Sequence, residues 1–170
     1  MKKAFRITAS ILLMGTVLLS GCSKTPEIDK DVNADNINMS ASNAAHGFLQ
    51  AVFTKDKDLF VKVYLNEDTF ETLCGGDSIR ESGEYYGISY SAEEPATEEY
   101  NWDGDMLGTE ISEEFDISKD DIKDIKIVKE RVYFKDSGKY QYTDAYVVVY
   151  KYDSSWYAFT IQDPDADIRA

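Results

Sequence analysis

The chain has 170 residues with 18 Lys+Arg against 32 Asp+Glu, a formal net charge of −14. That balance excludes a nucleic-acid binder, whose partner's phosphates require Lys and Arg, and a protein lying flat on anionic lipid. With only Cys22, Cys74 and His46 of their kinds, a disulfide framework, a His-rich metal site and a two-histidine mechanism are excluded as well.

The N-terminus carries Lys2, Lys3 and Arg6, then an apolar run from Ile7 to Leu19. Thirteen residues is too short for a span, which needs about 20, so residues 1–21 read as a cleaved export signal. The run ends in Leu19-Ser20-Gly21-Cys22, which closely resembles the lipobox of bacterial lipoproteins. The resemblance implies cleavage before Cys22, a diacylglyceryl group on its sulfur and an anchored domain on the extracytoplasmic face of the cell membrane. Two or more acyl chains hold stably where one does not. Without residues 1–21 the chain loses three positive charges and no negative ones, and its formal charge becomes −17.

Residues 22–39 are expected to form the lipidated cysteine and a flexible tether, because Ser23 to Met39 lack aromatics and are rich in Asp, Asn and Lys. Residues 40–170 form one domain. Ser40 to Asn43 offer N-cap side chains, and Ala45, Phe48, Leu49, Val52 and Phe53 follow on one helical face. His46 lies beside that stripe and reads as a boundary polar residue, since no acid is paired with it in sequence. Asp56 caps a second helix through Leu59, Phe60, Val63 and Tyr64, and a short third helix runs from Asn66 or Asp68 to Cys74, ended by Gly75-Gly76. Cys74 reads as a small buried residue closing that helix.

Asp77 to Ser118 predicts one strand at Tyr85–Tyr90, a loop from Glu93, and mobile acidic connections with Tyr100, Trp102 and Phe115 docking on the domain; residues 93–124 hold 13 acidic side chains. Asp103-Gly104-Asp105, Gly108 and Glu114 partly match a calcium loop, but Leu107 and Glu110 depart from it, and an acidic solvated loop is expected, with no metal and no cofactor. Ser118 with Asp121 resembles a capping box. Beyond it, Ile125–Phe134, Tyr140–Tyr152 and Trp156–Ile161 are expected strands, separated by turns at 135–139 and 153–155. The last strand is expected to pair with Tyr146–Tyr152.

The order predicts an α+β fold, with N-terminal helices packed on a curved antiparallel sheet. Phe48-Leu49-Gln50-Ala51-Val52, Lys57-Asp58-Leu59-Phe60 and Ser155-Trp156-Tyr157-Ala158-Phe159 are similar to the opening helical pair and last strand of nuclear-transport-factor-2-like domains. Cystatin-like domains share that plan and remain the alternative. The resemblance implies a conical pocket between sheet and helices; some members are isomerases, dehydratases or hydrolases, and many only bind. Ligand-binding candidates are Tyr146, Tyr150, Tyr157 and Trp156, with Asp144 as the acid an enzyme would add. The expectation is a non-catalytic binding module for a small ligand, a peptide or an envelope protein. A small hydrolase or isomerase, or a structural subunit of an envelope assembly, is the alternative.

Cys22→Ala is predicted to abolish incorporation of labelled lipid and to leave uncleaved precursor; normal lipid labelling in that variant would end the lipoprotein reading.

Overall fold

A computed structural model describes residues 24–74, 84–95 and 104–162. In chain order these form α1 (Ala41–Thr54), α2 (Lys57–Val63), α3 (Phe70–Cys74), β1 (Glu84–Pro95), α4 (Gly104–Phe115), β2 (Ile122–Asp136), β3 (Lys139–Tyr152) and β4 (Ser155–Gln162). The four strands make one open antiparallel sheet in the order β1-β2-β3-β4. The fold is α+β.

Local chemistry sets the helix ends. The Ser40 hydroxyl accepts from the Asn43 N–H at 3.1 Å, and the Asp56 carboxylate accepts from the Leu59 N–H at 3.0 Å, each satisfying a donor that a helix start leaves unpaired. Lys55 takes the left-handed conformation between α1 and α2. The third helix opens as a 3-10 turn, Glu67–Thr69, with the Asn66 side chain accepting from the Asp68 N–H. Both hairpins have two central residues at positive φ, Ser137-Gly138 and Asp153-Ser154. That is the type I′ pattern, whose twist matches the flanking strands.

Alternation along β2 and β3 assigns the two faces of the sheet. Val128, Val132 and Phe134 pack with Ala145, Val147 and Val149 against α1, α2 and α3. Phe48, Phe60, Tyr64 and Phe70 form a continuous aromatic layer there, with ring centroids 5.0–5.8 Å apart. The last strand pairs with β3 from Tyr146↔Gln162 to Tyr152↔Ser155, as the turn spacing predicts.

The middle of the chain differs from expectation. Residues 104–115 are a helix rather than a mobile acidic loop. Leu107, Ile111 and Phe115 recur at i, i+4 and i+8, one helical face. Leu107 joins Ile127 and Val148 on the face of the sheet opposite α1, so helices lie on both faces. Phe115 stacks on Tyr150 at 5.5 Å and meets Tyr64 and Phe159 edge-on. Asp105, Gly108 and Glu114 of the calcium-loop match are helical, and Asp105 pairs with Lys119 at 2.6 Å. Asp103, like Trp102 and Tyr100, lies outside the described residues. Ser118 precedes a 3-10 turn without a side-chain cap bond, so the capping box does not form. β1 runs on through Glu93–Pro95, where a loop was expected. Proline is tolerated there because β1 is an edge strand.

The segment before α1 also differs from a free tether. Ile37 is 1% exposed and belongs to the core. A Cβ on Gly47 would come within 2.4 Å of Ile37, and one on Gly87 within 2.5 Å of Ile28, so glycine at both positions lets the segment lie directly on α1 and β1. The Asp29 N–H donates to the Ile88 carbonyl on β1. At the other edge Asn38 brackets Trp156: the Trp156 N–H donates to the Asn38 carbonyl, and Asn38 Nδ2 donates to the Trp156 carbonyl at 2.7 Å. Polar composition concealed a segment held by its backbone and by Ile28 and Ile37.

Trp156 is 8% exposed within the main core, with Lys126 Nζ 5.2 Å from its ring centroid. Trp156→Ala is expected to destabilise the fold by about 3–5 kcal/mol in denaturant unfolding of the full chain; a change below about 1 kcal/mol would remove Trp156 from the core.

Candidate functional site

The sequence candidates do not converge. Trp156 faces the helices, whereas Tyr146 and Tyr150 alternate onto the opposite face. Tyr150 is fully buried against Phe115, its centroid is 5.9 Å from that of Tyr157, and its hydroxyl has no protein partner. Tyr157 and Tyr146 are half-buried, and Lys129 Nζ lies 5.2 Å from the Tyr146 ring centroid. Asp144 is engaged by cations: Arg131 Nε is 2.7 Å from one carboxylate oxygen, and Lys129 Nζ is 3.1 Å from the other. Burial alone would raise its proton affinity, but Arg131 and Lys129 outweigh burial and hold the carboxyl below its usual range. Asp144 is thus a structural ion-pair partner. Cys74 is buried, and burial pushes its thiol up to about 11, the reverse of an activated nucleophile. Cys22 lies outside the described residues.

A different constellation lies on the helix-facing side. Glu130 occupies the period-two row Val128-Glu130-Val132-Phe134, every member of which is buried. It is 0% exposed, and neither carboxyl oxygen has a hydrogen-bond partner. Burial, and then the Asp29 carboxylate, push it up to about 8. Tyr85 at the start of β1 stacks on Phe53 at 5.9 Å, and its hydroxyl is buried without a partner. Burial, Asp31 and Glu130 all disfavour its ionisation. His46 on α1 is 5% exposed with Nε2 unpartnered; burial lowers its proton affinity, and Asp29 and Asp31 partly oppose this. The exposed Asp29 and Asp31 link the three groups electrostatically from the segment that crosses β1. The Tyr90 N–H donates to the Asp29 carboxylate, and the Val32 N–H donates to Gln50 Oε1 at 3.1 Å.

His46 was visible in sequence without its companions. Glu130 could have been found from the same strand, because an acid in step with Val128, Val132 and Phe134 must enter the core. Asp29 and Asp31 gave no such signal, since only the fold brings them to β1.

Near neutral pH the cluster presents an un-ionised carboxyl, imidazole and phenol, each with an unused donor or acceptor. No hydrogen bond joins His46 Nε2 or Glu130 to another protein group, so no proton relay links them. Among the described residues no group of three His, Cys, Asp or Glu side chains could hold a metal ion, and no helix is long and apolar enough to cross a membrane. Comparison with family models, curated proteins and solved structures finds no match to this chain.

The two buried groups act on stability in opposite directions. Glu130 binds its proton more tightly folded than unfolded, so its contribution is present at low pH and is lost as pH rises from about 4.5 through about 8. His46 is depressed when folded, so its contribution is present above the unfolded value of 6.5 and is lost as pH falls below it. Glu130→Gln is expected to be about 2–4 kcal/mol more stable than wild type near pH 8.5 and similar near pH 5. Denaturant unfolding across pH checks this, and an unchanged alkaline slope in the variant would place the titration elsewhere.

Proposed function

We propose that the chain is a bacterial lipoprotein whose α+β domain, of nuclear-transport-factor-2-like type, is anchored through lipid on Cys22 on the extracytoplasmic face of the membrane and binds a small polar ligand without transforming it. The observation that carries the binding reading is Glu130: a carboxyl with no exposure and two unpartnered oxygens. Buried polar groups are ordinarily satisfied, and an unsatisfied one costs about 1–3 kcal/mol. A ligand supplying donors to Glu130 and Tyr85, and a partner to His46, would offset that cost. The helical pair α1–α2, the long β2–β3 hairpin and the entry of β4 through a polar turn into Trp156 favour the family assignment; α4 on the opposite face departs from the helix-on-one-face plan. Peptides and other envelope proteins remain the larger ligands such a domain would take.

A hydrolase or isomerase is the second reading, favoured by one observation: the shifted proton affinities of Glu130 and His46 would let a carboxylic acid and a neutral imidazole act near neutral pH. The lack of a hydrogen bond from His46 Nε2 or Glu130 to another protein group supports binding over catalysis.

Native mass spectrometry of the full chain extracted in mild detergent is expected to show a small-molecule adduct that is absent from Glu130→Gln and reduced in Tyr85→Phe. A bare mass in the wild-type protein, with no thermal shift from any polar small molecule, would overturn the ligand reading.

A further inference from the structure

We infer that the Glu130 cluster takes a compact organic cation, a protonated amine, and that residues 28–32 are the strap that closes over it. This rests on the reading of the cluster as a ligand site. Glu130 has basic neighbours in sequence, Lys129 and Arg131, but alternation turns both to the opposite face, where they share Asp144. Lys126 is on the Glu130 face, yet it pairs with Glu93 at 2.8 Å and lies over Trp156. The cations of the strand nearest Glu130, Lys126, Lys129 and Arg131, are therefore each committed to another acid.

The neighbours of the carboxyl suit an amine. Tyr85, whose ionisation Glu130 disfavours, belongs to an aromatic group further along the same face, with Phe53 parallel to Tyr85 at 5.9 Å and edge-on to Phe134 at 5.3 Å. An ammonium group is attracted both to a carboxylate and to aromatic faces. Asp29 and Asp31 add negative charge at the entrance, and the acidic chain as a whole concentrates cations around itself. The described donors do not gather into a metal-binding group, which favours an N–H cation over a metal ion.

The strap has no regular secondary structure over residues 28–32. It is held by the Asp29 N–H on Ile88, the Tyr90 N–H on the Asp29 carboxylate, the Val32 N–H on Gln50 and Ile28 against Gly87. Asp29 fastens the strap to Tyr90, the residue paired with Glu130 between β1 and β2, and so brings a negative charge towards Glu130; strap closure and cation capture reinforce each other.

The titratable groups around the site are Asp29 and Asp31 on the strap, Tyr85 and Tyr90 on β1, His46 on α1 and Glu130 itself, and Glu130 carries the pH response. A cation favours ionised Glu130, so its binding expels that proton at neutral pH. The test is calorimetry on the full chain in detergent, using n-butylamine and 1,4-diaminobutane against 1-butanol and 1,4-butanediol, in buffers of different ionisation enthalpy. The amines are expected to bind roughly fifty-fold more tightly near pH 8.5 than near pH 6, with release of close to one proton at the lower pH. The alcohols are expected not to bind, and Glu130→Gln to lose at least about tenfold in amine affinity. Gly87→Ala, which pushes Ile28 off β1, is expected to raise the amine dissociation rate several-fold. Alcohols that bind as well as amines, or an unaffected Glu130→Gln, would overturn the cation while leaving the interior site standing. Amines that do not bind at millimolar concentration would overturn it too, and the native mass measurement then decides whether the site falls with it. An unchanged dissociation rate in Gly87→Ala would remove the strap.

Discussion

The β2–β3 hairpin is the constraint on which the rest of this domain depends. Its strands stay in register from Asp136↔Lys139 to Lys126↔Val149, with one irregularity only near Ile122. Because side chains alternate strictly, that register decides which residues meet the helices and which meet α4, and a one-residue slip would exchange the two sets. The type I′ turn at Ser137-Gly138 holds it in place, and a second at Asp153-Ser154 sets β4 against β3. Everything else attaches to this ribbon: α1 to α3 through the Val128, Val132 and Val147 side, and α4 through Ile127 and Val148.

The same alternation gives two neighbouring acids opposite fates. Asp144 falls on the face that carries Arg131 and Lys129 and becomes the centre of an ion-paired group, with Arg131 also 4.1 Å from the Tyr142 ring centroid. Glu130 falls on the apolar face and meets no cation. One carboxyl is held ionised and the other un-ionised by the parity of its position alone, although both sit on central strands of one sheet.

The strands, turns and first two helices were legible because several local signals agreed: capping residues, helical spacing, and β-branched runs between turn clusters. The helix at 104–115 was hidden by its acidic composition, since Leu107, Ile111 and Phe115 are few among Asp and Glu. Its apolar positions become meaningful only once a second sheet face needs covering. The site was half legible. His46 stood out as the lone histidine, but its companions come from β1, β2 and the N-terminal segment, and no local pattern joins residues that far apart. The tyrosines of β3 and β4 drew the sequence reading because aromatic strands suggest a pocket lining; packing instead uses Tyr150 to seat Phe115.

The segment before α1 touches both edges of the open sheet, β1 through Asp29 and β4 through Asn38. Its docking would also change the mechanics of the proposed anchor. Lipid on Cys22 would leave only the seven residues to Asp29 as a leash, a contour of at most about 25 Å, instead of the roughly 60 Å that a free chain to Met39 would allow. Such an anchor would confine the domain to a thin shell beside the bilayer, with its β1 edge turned towards the attachment point. Any tension along such a leash would reach the Asp29 bonds to Ile88 and Tyr90 of β1 before it reached the helical core, so those bonds would be the first to yield under a pull.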